Sequence, residues 1–149
     1  MNIDSDGVKQ IVDEIWQSML GLEVEDGAPA GDSDGREICA AVQITGGWQG
    51  AFIIECPEAS AVAFTAAMLG YEDGEEPSEP EVHDVVGELA NMAGGNLKAI
   101  VGEESRLSLP TVASGAGLDL AILGATELVR SDYVAGGAPF GVVVVARSA

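Results

Sequence analysis

The stretch Glu81 to Val101, EVHDVVGELANMAGGNLKAIV, constrains this chain more than any other. It predicts one helix of about six turns. Wound at about 100° per residue, it gathers Val82, Val85, Val86, Leu89, Ala93, Leu97 and Ile100 into one broad apolar stripe. Asp84, Glu88, Asn91, Gly95 and Lys98 fall on the opposite side. Glu88 and Asn91 stand at i,i+3, so their side chains are neighbours, with Cβ atoms about 5–6 Å apart. Around them Gly87, Ala90, Gly94 and Gly95 leave the helix nearly bare. A glycine inside a helix costs about 1 kcal/mol against alanine, and three of them fall within nine positions. Two explanations are open on the residues alone. Either another backbone or a bulky surface comes close to this face, or the glycines serve internal packing beside a solvated polar face.

With 149 residues the chain suits one domain, 1–149, with a sizeable single core. Its 47% hydrophobic and 21% charged residues describe a globular protein. Six Lys plus Arg against twenty-five Asp plus Glu give a formal charge of −19. That balance excludes nucleic acid, which needs a basic footprint, and an anionic membrane surface for the same reason. No apolar run reaches the ~18–20 residues of a membrane span, and MNIDSDG does not start a signal peptide. The expected location is the cytoplasm.

In chain order, Asp4 or Ser5 caps a helix running to about Leu20, with Val8, Ile11, Val12, Ile15, Met19 and Leu20 at helical spacing and Gly21 as C-cap. Glu14 and Gln17 form a second acid and amide at i,i+3, read as a solvated face. The acidic, Gly/Pro-containing stretch Glu23 to Gly35 reads as a loop. Arg36 to Cys56 predicts a hairpin around Thr45-Gly46-Gly47. A three-residue turn puts Ile38, Ala40, Val42 and Ile44 on one face with Trp48, Phe52, Ile54 and Cys56, and Cys39 on the other. The two thiols therefore should not bridge. Pro57 opens a helix to Leu69, closed by Gly70, and Tyr71 to Pro80 is an acidic loop. After the long helix come Leu107–Ser114, a strand near Leu118–Leu128, and Val129–Ala146 broken at Ala135–Pro139. The run Phe140–Ala146 reads as a strand covered on both faces or buried at a dimer contact. This order predicts an antiparallel sheet with helices packed on it, an α/β (α+β) fold.

Several chemistries drop out. His83 is the only histidine, no Cys-x-x-Cys exists, and no nucleophile elbow or Walker loop is present. The residues offer no self-contained hydrolytic site, so any catalysis must borrow machinery from a partner.

Glu88-Leu-Ala-Asn91, set in GELANMAGG, resembles the Glu-x-x-Asn signature of the CheC/CheX/FliY family of chemotaxis phosphatases. Ile44-Thr-Gly-Gly-Trp-Gln-Gly50 and Leu109-Pro-Thr-Val-Ala-Ser-Gly115 are similar to stretches of its single-site CheX branch. The resemblance spans nearly the whole chain. It implies a two-layer fold, an antiparallel sheet with long helices packed on it, and often a homodimer. It implies a phosphatase acting on the aspartyl phosphate of a CheY-like response regulator. Asn91 would orient the hydrolytic water, and Glu88 would anchor a receiver lysine. Asp84, Gly87, Gly94, Gly95 and Lys98 would border the contact, the glycines letting the receiver approach. The chain would need no cofactor of its own, because the receiver supplies Mg²⁺. Rival readings are a non-catalytic module that binds phosphorylated receivers and a structural part of a signalling or flagellar assembly. Gln17 departs from the two-site pattern, which leaves one site per chain.

Overall fold

The computed structural model describes residues 3–28, 35–102, 104–115 and 124–147. Two long strands, β2 (Glu37–Gly46) and β3 (Gly50–Pro57), pair as the expected hairpin. Ile44 faces Gly50, Val42 faces Phe52, Ala40 faces Ile54 and Ile38 faces Cys56. The register thus differs by two residues from the one that a three-residue turn gives. Both connections have an odd number of residues, so every apolar side chain keeps its expected face. Thr45 and Gly46 do not turn; they continue as strand to pair with β4 (Ser105–Leu107). Gly46 has φ +112°, and a Cβ on it would strike the Glu104 carbonyl, so this crossing requires glycine.

Among the described residues seven strands lie in the order β1 (Val24–Asp26), β6 (Ala125–Ala135), β7 (Ala138–Arg147), β3, β2, β4, with β5 (Thr111–Gly115) on the same side of β2 as β4. All pairs are antiparallel. The stretch expected as loop from Glu23 contains a short strand, β1 (Val24–Asp26), paired with β6. β6 (Ala125–Ala135) is one strand where two were expected. The supposed break between Leu128 and Val129 is a bulge that shifts its register against β7 (Ala138–Arg147). Residues 118–123 of the expected strand lie outside the described residues. Gly136 and Gly137, both at positive φ, turn β6 into β7. β7 is central: Val142 and Val144 face the main core, and Val143 packs with Ala41, Ala51 and Ile53 on the reverse face.

Three α-helices among the described residues pack on one face. Asp4 caps α1 (Ser5–Ile15), accepting from the Gly7 amide. α1 runs into a π turn, Trp16–Leu20. The wider turn buries Trp16 and Leu20 and leaves Met19, expected in the core, exposed. α2 (Glu58–Leu69) follows Pro57 and ends at left-handed Gly70. Trp16 stacks on Phe140 at 4.6 Å, and Phe64 meets both rings edge-on, so the π turn, α2 and β7 share one aromatic cluster. Cys39 and Cys56 are buried and carry no disulfide; burial pushes the Cys56 thiol up to about 12. Among the described residues no helix is long and apolar enough to cross a membrane.

α3 (Glu79–Val101) starts two residues earlier than periodicity implied, because Ser78 and Glu81 form a capping box. The Ser78 amide and hydroxyl donate to the Glu81 carboxylate at 2.9 and 3.0 Å, and the Tyr71 phenol donates to it as well. Hydrogen bonds from Tyr71 first, then Ser78, hold the Glu81 carboxyl below its ordinary 4.5. A depressed folded-state value stabilises the fold above the ordinary value, and that contribution disappears as pH falls through the depressed one. Tyr71→Phe should lower the thermal midpoint at neutral pH and lose less than wild type on acidification to about pH 3. Phe140→Ala should cost about 3–5 kcal/mol in denaturant unfolding.

Candidate functional site

α3 crosses the sheet over β2, and part of its inner face is seated by small residues. Gly87, Ala90, Ala93 and Gly94 are buried with Val82, Val85, Val86, Leu89, Leu97 and Val101. A Cβ on Gly94 would lie 2.3 Å from Val42 Cγ2 and 3.0 Å from Leu107 Cδ1. One on Gly87 would lie 3.2 Å from Val112 Cγ2 and 3.6 Å from Pro110 Cγ. Of the two explanations for the bare helix, internal packing is therefore correct for Gly87, Ala90 and Gly94. These positions serve helix–sheet contact and are closed to a partner, which corrects the expectation for Gly87 and Gly94. Gly95 differs, since nothing stands within 4 Å of its would-be Cβ. Ile100, expected on the apolar stripe, is 45% exposed, and Val101 is buried in its place at the helix end.

The seating fixes the rotation of α3, and so decides what points outward. Asp84 and Glu88 are exposed, and Asn91, Gly95 and Lys98 are partly exposed along the same flank. Glu88 and Asn91 are one turn apart with side chains turned away from the core. Among the described residues neither makes a side-chain hydrogen bond or ion pair. Asn96, towards the core side of the helix by angle, is partly exposed. His83 is an ordinary helix residue whose Nε2 lies 3.9 Å from Glu79. Glu14 and Gln17 are exposed on α1 and its π turn.

A cavity of about 240 Å³ lies between Arg36, Glu58, Glu79, Val82 and His83, and neither Glu88 nor Asn91 lines it. The Glu88–Asn91 pair stands instead on the outward flank of α3, as a ridge outside that cavity. Such a ridge cannot enclose a small substrate, but it can enter a cleft on another molecule. Among the described residues no three His, Cys, Asp or Glu side chains converge as a metal-holding group.

The three stretches that carried the family resemblance meet here. Ile44–Gly50 continues β2 beyond Val42, Leu109–Gly115 supplies Pro110 and Val112 under Gly87, and GELANMAGG is the helix they support. The family model described as chemotaxis phosphatase CheX matches residues 38–130, more than half of the chain. The chain belongs to the CheX family. Solved structures share the CheX fold over nearly the full length. CheX from Vibrio vulnificus superposes with a TM-score of 0.76 at 21% identity, covering 94% of this chain and 93% of that one. A CheC-like superfamily protein from Shewanella sp. PV-4 gives 0.76 at 23% identity, covering 99% and 100%. The CheX-CheY-BeF3-Mg²⁺ complex from Borrelia burgdorferi gives 0.72 at 19% identity, covering 96% and 97%. No curated protein sequence matches the chain significantly.

The wall Pro110–Val112 beside α3 was not identified as such from sequence, because it arrives from a separate edge strand. The two kinds of glycine give opposite expectations. Gly94→Ala gains about 1 kcal/mol of helix propensity but overpacks a stiff, buried valine at roughly 1–3 kcal/mol, so the net change should be destabilising. Gly95→Ala should stabilise by up to about 1 kcal/mol. Thermal or denaturant unfolding of the two variants separates them.

Proposed function

We infer that this protein hydrolyses the aspartyl phosphate of a CheY-like response-regulator receiver domain, contributing Glu88 and Asn91 to the reaction. The ridge carries this reading: an acid and an amide one turn apart, turned outward, without partners among the described residues and outside the cavity at Arg36 and His83. Membership in the CheX family supports a phosphatase, and the likeness to the CheX of the Borrelia complex with CheY supports a receiver as partner.

The chemistry divides between the two molecules. The receiver brings the phosphoryl group with its Mg²⁺, a lysine and a hydroxyl side chain. Water oxygen attacks phosphorus in line, the bond from phosphorus to the aspartyl carboxylate oxygen breaks, and the water proton passes to phosphate. Inorganic phosphate and a free carboxylate result. Such transfers depend chiefly on positioning and charge stabilisation. The Asn91 carboxamide accepts a hydrogen bond from the water and holds it opposite the leaving oxygen. It is neutral, whereas a carboxylate at this point would repel the phosphoryl charge. Glu88, a turn away, pairs with the receiver lysine, and that ion pair sets the register of the two proteins. Asp84, Gly95 and Lys98 border the contact, with Gly95 keeping the ridge low between polar side chains.

The lifetime of a phosphorylated receiver, with and without the protein, tests this directly. Asn91→Ala should reduce the acceleration roughly 100-fold or more while binding largely survives. Asn91→Asp should be no better than Asn91→Ala, and Glu88→Ala should weaken binding as well. An unchanged lifetime across the CheY-like receivers of the host genome would overturn the assignment.

A further inference from the structure

We propose that Leu109 is a preorganised apolar anchor that seats in an apolar recess of the receiver beside its phosphorylated aspartate, flanking the Asn91 side of the ridge. This rests on the reading of Glu88 and Asn91 as a receiver-docking pair. Leu109 is 87% exposed, about twice the exposure of any other large apolar side chain among the described residues. A single exposed leucine is ordinary. Its backbone and its place are what set this one apart.

The backbone is held from both sides. β4 and β5 flank Leu109, and both pair with β2. The Ser108 amide donates to the Gln43 carbonyl, the Gln43 amide donates to the Ser108 hydroxyl, and that hydroxyl donates to the Leu109 carbonyl, each at 2.9 Å. Pro110 confines the residue before it to extended conformations and fixes its own φ. An apolar side chain on such a support loses little freedom on binding, which is the property of an interface anchor.

The place follows from the packing of α3. Leu107 touches the Gly94 position and Pro110 the Gly87 position, so the segment between them runs along the helix past the turn that holds Asn91. Asn91 and Lys98 lie on the flank of the exposed face nearest Gly87 and Gly94. Leu109 therefore rises beside the amide, opposite to the side on which Met92 and Ala99 continue the helix surface. A carboxylate, an amide and a rigid leucine then define three points of contact, enough to fix an orientation that two points on one helix leave free to pivot.

The test uses the full chain with each CheY-like receiver of the host genome, phosphorylated by acetyl phosphate in Mg²⁺. Leu109→Ser should raise KM for the phosphorylated receiver at least about tenfold, with kcat within about twofold of wild type. Leu109→Met should restore KM. Leu128→Ser removes another exposed leucine, on β6, and should change neither constant. Thermal midpoints equal to wild type separate docking from folding. A KM for Leu109→Ser within about twofold of wild type, or a fall in kcat with KM unmoved, overturns the anchor while the phosphatase assignment stands. A wild-type protein that leaves every receiver's lifetime unchanged overturns the assignment and the anchor together.

Discussion

The close seating of α3 on β2 and the strands beside it governs the rest of the molecule. Val42, wholly buried, fills the space where Gly94 has no side chain, and Val112 and Pro110 do the same under Gly87. A helix held this closely at two points, seven residues apart, cannot roll about its axis. Its outward face is then fixed as well. Glu88 and Asn91 face solvent because Gly87 and Gly94 on one side of them, and the buried Val86, Leu89, Ala93 and Leu97 behind them, are taken up by the core.

The same contact explains why stretches distant in sequence belong to one device. The β2–β3 hairpin supplies Val42, its continuation through Gly46 draws in β4 with Leu107, and the β4–β5 connection brings Pro110 under the helix. Interior packing has little slack, so a change at any of these positions reaches the ridge as a rotation or a shift. The residues that would meet a partner are few, while those that aim them are many and lie in the core.

Charge plays a different part. At −19 the chain repels itself and any anionic surface, and its acids are spread over loops, helix starts and strand edges. On the exposed face of α3 Asp84 and Glu88 precede Lys98, so the ridge is acidic at one end and basic at the other. Such a gradient favours one orientation of a charged partner over its reverse.

Much of this was legible in the residues. The periods of α1, α2 and α3, the proline and glycine helix ends, the parity of the β2–β3 hairpin and the outward direction of Glu88 and Asn91 are all local properties, set by spacing along the chain. The capping box of Ser78 with Glu81 was missed, because apolar periodicity alone begins the helix later. The purpose of the glycines was not legible either. Gly87 and Gly94 sit at the margin of the apolar stripe, where spacing allows either a partner or the protein's own sheet to approach. Only the tertiary fold decides, because the atoms that fill those positions belong to Val42, Leu107, Pro110 and Val112, on strands that meet the helix only after the sheet has formed. The bulge at Glu127/Val129 and the π turn at Trp16–Leu20 escaped for the same reason: each bends a locally regular element to satisfy a neighbour that local sequence does not contain.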